Sequence, residues 1–218
     1  MSTNQDEFKL IRPKFINGIE NMYTQMNDIK DEDKFEHVYI SDCSIDNQMA
    51  YQVSFEGVIF KNVSFQDIAL ESLELTNVRF ENCDLSNVDF KGAIIHRTEF
   101  VNCKLIGIDL SNATLQNVYV KECNGKFSFM RFIQMKKVLF QDSLLENSDF
   151  QNSKLSKIQF DNCNLQLSQM SGTSLSGIDL STSIVDGLGV RQEDIRGAIV
   201  SPLQAVNFSK LLGLVIKS

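Results

Sequence analysis

The chain has 218 residues, of which 43% are hydrophobic and 22% charged, the balance of an ordinary soluble protein. A formal net charge of −7 disfavours nonspecific binding to nucleic acid or to an anionic membrane. With no apolar run long enough to span a membrane and no secretory signal at the start, we expect a cytoplasmic protein whose five cysteines are reduced thiols.

Residues 1–36 form the first predicted unit, a short N-terminal cap or flap. Five apolar residues recur there at helical spacing and predict an amphipathic stripe: Phe15, Ile16, Ile19, Met22 and Met26. The regular pattern of the following residues is absent from this segment. We therefore expect it to cover part of the structure that those residues build.

Residues 37–192 form the second unit and carry a repeat of five residues. Every fifth residue from Ile40 to Val190 is large and apolar, with only Ala50 and Gly125 as exceptions. The residue two places earlier is small or β-branched almost throughout. A helix repeats its apolar residues at steps of three and four and a half-buried strand at steps of two, so neither explains this period. Each group of five offers one large and one small inward side chain and three outward ones.

A second period, of twenty residues, is superimposed on the first. All five cysteines fall in one phase of it: Cys43, Cys83, Cys103, Cys123 and Cys163. Another phase holds Phe60, Phe80, Phe100, Phe140 and Phe160. A third holds Asn62, Asn82, Asn102 and Asn162, together with Asp42 and Asp142. Four groups of five therefore make one coil, and residues twenty apart are expected to stack in neighbouring coils.

Four of the groups, CDLSN (83–87), VDFKG (88–92), IDLSN (108–112) and SDFQN (148–152), resemble the pentapeptide-repeat family, whose consensus is A(D/N)LXX. The resemblance is specific because the register is unbroken. It implies an all-β solenoid, a right-handed quadrilateral β-helix in which one pentad makes one side. The predicted fold is this pentapeptide-repeat β-helix with a short N-terminal cap segment and a C-terminal capping helix.

Catalytic, cofactor-binding and metal-binding patterns do not stand out. The two histidines, His37 and His96, lie outside the cysteine phase, which disfavours a zinc site. The cysteines are interpreted as small buried residues. Repeated carboxylates such as Asp84 and Asp89 precede the large residue and are expected to be solvated or bonded between coils. We expect no enzyme, no cofactor and no metal site.

The stretch 122–137 departs most from the repeat and predicts a face for a protein partner. Gly125 stands at a large inward position. The candidate face consists of outward apolar residues: Ile106, Phe127, Phe129, Phe132, Leu144 and Leu167, with Ile184 on the same side. A basic rim surrounds it: Lys121, Lys126, Arg131, Lys136 and Lys137. Three explanations stay open, namely an external partner, a cover made by the N-terminal segment, and a Phe127 that turns into the space at Gly125.

Residues 193–218 form the C-terminal unit. Ser201 and Gln204 enclose a capping box with proline at the first helical position, which predicts a helix from 202 to about 211 that stops at Gly213. LVIK (214–217) is predicted as a strand. The resemblance implies that this module caps the last coil and pairs with a second copy, and a cap without a dimer is the alternative. The candidate dimer surface is Phe208, Leu211, Leu212, Leu214 and Ile216.

The predicted function is a non-enzymatic protein-interaction module with an unknown partner, which binds neither nucleic acid nor membrane directly. The resemblance implies a first alternative, because Qnr-like members are DNA-mimicking homodimers that bind the type II topoisomerases DNA gyrase and topoisomerase IV and protect them from quinolones. Residues 40–190 hold 18 acidic and 12 basic residues, a net charge of −6. Duplex DNA of about 36 Å would carry roughly 20 charges, so mimicry is weak on charge. A passive structural scaffold is the second alternative.

Overall fold

The computed structural model describes residues 8–21 and 28–217. Most of these residues wind into a parallel β-solenoid in which positions twenty apart are paired. Leu75 pairs with Ile95, and Ile95 pairs in turn with Leu115. This register confirms the predicted twenty-residue coil and the pentapeptide-repeat β-helix.

Four sides of five residues make one coil. The first side is residues 43–47, the second 48–52, the third 53–57 and the fourth 58–62, and each side recurs every twenty residues. The large residue at the centre of each side points into the core, and the last residue turns the corner. Large side chains from four directions thus fill the interior of the rod.

Corner residues have positive φ angles on almost every side, from Glu32 to Gly197. Their φ values lie between 48° and 80°, which is the left-handed region. This conformation brings Cβ too close to the following carbonyl oxygen, so glycine adopts it freely and asparagine more readily than other residues. Many corners accordingly carry asparagine or glycine, and bulky residues at corners are strained.

In chain order the strands are β1 (Lys34–Glu36), β2 (Tyr39–Ser41), β3 (Ser44–Tyr51), β4 (Ser54–Glu56), β5 (Ile59–Lys61), β6 (Ser64–Glu71), β7 (Glu74–Glu81), β8 (Ile94–Val101), β9 (Thr114–Lys121), β10 (Gln134–Gln141) and β11 (Lys154–Asp161). The main sheet runs along the third and fourth sides, and β3 and β6 pair on the first and second. Beyond residue 82 the first and second sides are turns joined by single bridges, such as Asp84 with Lys104. Pairing from Lys34 to Ile199 extends slightly beyond the predicted bounds of 37–192.

The predicted phenylalanine ladder is present in the core. The ring centroids of Phe60 and Phe80 lie 4.8 Å apart, those of Phe80 and Phe100 5.0 Å apart, and those of Phe140 and Phe160 5.2 Å apart, all with parallel rings. These distances match the spacing of adjacent parallel strands. Stacking of identical side chains therefore follows directly from the coil register.

The small inward positions connect the backbones of successive coils. The N–H of Cys83 donates to Cys103 Sγ at 3.4 Å, and the N–H of Cys103 donates to Cys123 Sγ at 3.4 Å. One coil further on, Ser143 Oγ accepts from the Cys123 N–H at 3.2 Å. Cysteine Sγ and serine Oγ thus accept the same type of hydrogen bond from the backbone of the preceding coil. The cysteines are free, and all are buried except Cys43, which is partly buried.

A short helix closes the C-terminal end. Helix α1 (Pro202–Phe208) begins at the predicted capping box and continues into a 3-10 turn (Ser209–Leu212) that stops at Gly213, whose φ is 73°. The helix prediction is confirmed. The strand predicted over 214–217 is wrong, because these residues have no regular secondary structure and pair with none of the described strands.

The described part of the N-terminal segment has no regular secondary structure over residues 8–16. Residues 8–16 lie along the corner between the third and fourth sides, and a 3-10 turn follows at Ile19–Asn21. The helical stripe is therefore wrong at Phe15 and Ile16. They follow a stretch that spans two coils between its bonds to Asn117 and Asn77, a distance that three helical residues at about 1.5 Å each cannot cover. The remaining positions of that stripe, Met22 and Met26, lie outside the described residues.

Candidate functional site

The candidate partner face occupies the first and second sides and the corners that end them. Phe127 and Leu167 share the corner between these sides, two coils apart. Phe129 lies on the second side just after Phe127, and Phe132 stands at the corner that ends that side. Leu144 lies on the first side in the coil after Phe127. Five predicted residues are thus brought to adjoining surfaces of three successive coils.

The remaining two residues of this region differ in exposure. Ile106, on the first side, is only half-buried, so it presents part of its side chain to the face. Ile184 is exposed and lies two coils beyond Leu144 in the same phase. The apolar surface therefore continues toward the C-terminal end of the rod.

Three residues of the face occupy strained corners. Phe127, Phe132 and Leu167 have φ values of 60°, 56° and 59°. Their side chains are 54%, 53% and 51% exposed. A bulky residue in this conformation is a genuine outlier and costs roughly 1–2 kcal/mol. Burial does not offset the strain, because each side chain is more than half exposed.

Hydrogen bonds between coils fix these corners. The N–H of Phe127 donates to the carbonyl oxygen of Glu146 at 3.0 Å, and the N–H of Leu167 donates to that of Asp186 at 2.9 Å. The backbone cannot relax without losing them. Asn147, between Phe127 and Leu167 in the same corner phase, has the same conformation with a φ of 59°. Asparagine is thus the residue that this corner accommodates with less strain.

The predicted basic rim is partly neutralised by neighbouring acids. Lys126 Nζ lies 2.9 Å from Glu146 Oε1, and Arg131 Nε lies 2.6 Å from Asp149 Oδ2. Arg131 also donates to Gln151 Oε1 at 2.8 Å. Each of these cations bonds to the next coil. At Lys126 and Arg131 the edge of the face therefore consists of ion pairs rather than free positive charges.

A small void lies behind the face. Its volume is about 20 Å³, and Val120, Gly125 and Leu145 are among the residues that line it. Val120 stands where the ladder has phenylalanine on both sides, and Gly125 stands where other coils have a large residue. Phe127 does not fill this space, since its side chain is exposed. The explanation in which Phe127 turns inward is wrong.

The described N-terminal residues do not cover the face either. Ile11 bonds to Asn117 and Arg12 to Glu99. Lys14 bonds to Asn77, which stands at the same corner as Asn117. These partners lie on the third and fourth sides. Residues 8–21 therefore leave the first and second sides open, which removes this explanation for the part of the segment that the structure describes.

The C-terminal cap forms a second candidate surface. A groove of about 360 Å³ lies between the last coil and the cap, and its apolar lining includes Ile195, Ala198, Val200, Phe208, Leu211 and Leu212. Leu211, Leu212, Leu214 and Ile216 are exposed. Phe208 is partly buried against the core, so it holds the cap in place more than it forms a free surface.

Ionisable groups are arranged as structural pairs. Lys91 Nζ lies 2.7 Å from Asp89 Oδ2 and 3.3 Å from Asp109 Oδ2, which bonds the repeated carboxylates between coils as predicted. Burial lowers the pKa of His96, and the nearby charge of Arg97 lowers it further. Within residues 8–21 and 28–217, no group of three or more His, Cys, Asp or Glu side chains is placed to hold a metal ion. No helix in these ranges has the length and apolar character of a membrane span.

Known sequences and structures resemble this chain in its repeat. The sequence profile described as "Pentapeptide repeat region" matches residues 73–150, and that of "Pentapeptide repeats (8 copies)" matches residues 143–181. The uncharacterized protein YisX of Bacillus subtilis (strain 168) is 39% identical over 95 residues, which are 44% of this chain and 45% of that protein. The match thus spans less than half the length of this relative.

Two solved structures are similar to this chain over most of its length. Full-length QnrB1, a plasmid-mediated fluoroquinolone resistance protein, is 17% identical with a TM-score of 0.42, covering 87% of this chain and 99% of its own. HetL of Nostoc sp. strain PCC 7120, a pentapeptide repeat protein involved in heterocyst differentiation regulation, is 15% identical with a TM-score of 0.39, covering 78% and 90%. Neither likeness bears on function. The coil register, the inward residues and the matched profiles together identify the chain as a member of the pentapeptide-repeat family.

Proposed function

We propose that the chain is a non-enzymatic protein-interaction module whose partner binds the face formed by Phe127, Phe129, Phe132, Leu144 and Leu167. The observation that carries the proposal is the presence of exposed, bulky side chains at left-handed corners. Asparagine or glycine would relieve the strain there and remove apolar surface from water. The backbone strain at these corners and the exposure of their apolar side chains both weaken the folded state, and neither fills the core. Strain and contiguous apolar surface of this kind concentrate at binding sites.

A triple variant tests the proposal: Phe127→Asn, Phe132→Asn and Leu167→Asn. We expect its unfolding free energy to rise by about 1–3 kcal/mol in total, because asparagine recovers part of the left-handed strain. We also expect it to lose a partner that the wild-type chain retains in affinity capture from cell lysate. The measurements are urea unfolding and quantitative mass spectrometry of the captured proteins.

Gln52→Asn is the matched control. Gln52 is an exposed corner with a φ of 56°, and it lies several coils from the face. This variant should gain stability and keep the partner. A protein captured by wild type and control but not by the triple variant supports the proposal. Equal capture by all three chains contradicts it and favours the passive scaffold.

A DNA-mimicking binder of DNA gyrase or topoisomerase IV is the second candidate, favoured by the net charge of −7. A mimic needs a continuous acidic stripe, whereas Glu81 is held by Lys61 at 3.0 Å and by Arg79 at 2.9 Å. Glu146 is likewise held by Lys126. Gyrase supercoiling with and without ciprofloxacin tests it. Rescue of supercoiling supports this candidate, and no effect over a wide protein concentration removes it for the enzyme used.

We further propose that two copies pair through the C-terminal module. The supporting observation is the apolar groove beside exposed Leu212, Leu214 and Ile216. Sedimentation equilibrium should give a dimer for the wild type and a monomer for a Leu214→Asp, Ile216→Asp variant. Met49→Asp, at an exposed residue in the first coil, is the control that should stay dimeric. A monomeric wild type contradicts the pairing.

A further inference from the structure

The N-terminal residues 8–16, here called the strap, are bound to a corner of the rod by two backbone hydrogen bonds. The backbone N–H of Ile11 donates to Asn117 Oδ1 at 3.3 Å, and that of Lys14 donates to Asn77 Oδ1 at 3.4 Å. Asn77 and Asn117 occupy the same corner, between the third and fourth sides, two coils apart. Asn77 Oδ1 also accepts from Arg97 Nε at 2.7 Å, so this acceptor is shared with the rod. The strap is thus bound through its backbone N–H groups, which any extended peptide possesses.

The spacing of these bonds fits the rod. Three extended residues, from Ile11 to Lys14, span about 10 Å. Two coils at the strand spacing also span about 10 Å. A peptide lying parallel to the rod axis therefore brings one N–H to the corner for every two coils. The match arises from the repeat and needs no particular side chain on the peptide.

One side chain of the strap is recognised specifically. Arg12 Nη1 lies 2.9 Å from Glu99 Oε1, and the guanidinium carbon lies 3.7 Å from the centroid of the Tyr119 ring. Glu99 on β8 and Tyr119 on β9 are direct neighbours in the sheet and are 9% and 8% exposed. A carboxylate beside an aromatic face binds a guanidinium by charge and by cation–π attraction. Glu99 Oε2 also lies 3.9 Å from Arg79 Nη1 of the rod, so Arg12 takes the closer of two guanidinium positions around this carboxylate. The fourth side thus carries an arginine pocket.

The strap itself is held lightly. All of its residues are at least partly exposed, and none of them pairs as a strand with the rod. It ends at a turn where Gly18 has a φ of 74°, and the next residue, Ile19, is buried. The strap can therefore detach at Gly18 while Ile19 remains packed. Such lightly bonded segments open most readily in proteins.

We propose that the groove formed by Asn77, Glu99, Asn117 and Tyr119 is a binding site for an extended, arginine-bearing segment of a partner protein, which the strap occupies as an intramolecular competitor. The partner segment would place its arginine in the Glu99–Tyr119 pocket and its backbone N–H groups on the corner asparagines. This site lies on the third and fourth sides and is independent of the face around Phe127.

The experiment uses the full-length chain and a fluorescent peptide with the sequence FKLIRPKFIN of residues 8–17. Arg12→Ala in the protein should free the pocket, so we expect the peptide to bind this variant at least about tenfold more tightly than wild type, whose strap competes at high effective concentration. Changing the peptide's own arginine to alanine should abolish binding. Fluorescence anisotropy measures both affinities.

Adding Glu99→Gln to the Arg12→Ala protein should also abolish peptide binding, with folding checked by circular dichroism. The alanine-substituted peptide keeps the test decisive if that protein does not fold. Absence of peptide binding to the Arg12→Ala protein would overturn the proposal. Equal binding of the arginine and alanine peptides would overturn it as well.

Discussion

Replacement of Gly125 by alanine should stabilise the rod, because Gly125 stands at an inward position and borders an interior void. The void beside Gly125 has a volume of about 20 Å³, and at about 24 cal/mol per Å³ it costs about 0.5 kcal/mol. Replacing a glycine that does not have a left-handed φ further raises the free energy of unfolding, by about 0.4–1 kcal/mol, because alanine restricts the unfolded chain. The new Cβ would lie 3.1 Å from Leu145 Cδ2, a flexible methyl group that borders the void and can move into it.

The expected gain for Gly125→Ala is therefore about 1–1.5 kcal/mol, which for a chain of this size raises Tm by about 2–6 °C. Gly107→Ala is the matched control, because Gly107 is a corner with a φ of 67° whose Cβ would collide with Asn87 Oδ1. It should lose about 1–2 kcal/mol. Scanning calorimetry of both variants checks the pair. A destabilised Gly125→Ala protein, or an unchanged Gly107→Ala protein, would refute the assignment of one glycine to the interior and the other to a corner.

Phe80→Ala should lower the unfolding free energy by about 3–5 kcal/mol, because Phe80 is buried and stacks on a ring in each neighbouring coil. Urea unfolding measures this loss, and a loss below about 1 kcal/mol would contradict a stabilising role of the phenylalanine ladder. A thiol reagent such as Ellman's reagent should react first with the partly exposed Cys43 and slowly with Cys163, since burial raises the pKa of the Cys163 thiol to about 11. All five thiols should react in denaturant, and equal rates in the native protein would argue against burial. A hydrogen bond from Lys61 holds the pKa of Glu81 below its ordinary value of 4.5, so its contribution to stability is present above that pH and is lost as the pH falls through the folded pKa. Unfolding free energies measured from neutral pH to about pH 3 should decline less steeply in Glu81→Gln, and identical slopes would exclude a role for this carboxylate.

The periodic parts of the fold could be predicted because each coil imposes the same constraint on the chain. Residues twenty apart face each other. The residues of one ladder in the structure therefore occupy the same position of the twenty-residue repeat in the sequence. Asn82 donates to Asn62 Oδ1 at 3.1 Å, and Asn102 donates to Asn82 Oδ1 at 2.9 Å, as their shared phase predicts. The capping box at Ser201 was equally predictable, since its bonds join residues three apart.

Features that depend on contacts between distant residues could not be predicted in this way. Arg12 and Glu99 are separated by 87 positions, and nothing periodic connects them. The residues 214–217 are apolar enough for a strand, but a strand requires a partner that the sequence does not specify. The left-handed corners are a different case, because asparagine and glycine recur at many positions that lie five residues apart, a visible signal whose conformational meaning was missed.

Departures from the repeat cluster in one part of the rod. Val120 interrupts the phenylalanine ladder, Gly125 leaves a void, and Phe127 and Phe132 are strained at exposed corners, all within thirteen consecutive residues. The same positions in neighbouring coils have residues that fit, so the fold itself does not demand these exceptions. Local conflicts of this kind accumulate where a sequence serves binding as well as folding. The coil that carries the exposed phenylalanines is also the coil in which Gly125 borders the void, and selection for stability alone would have removed both features.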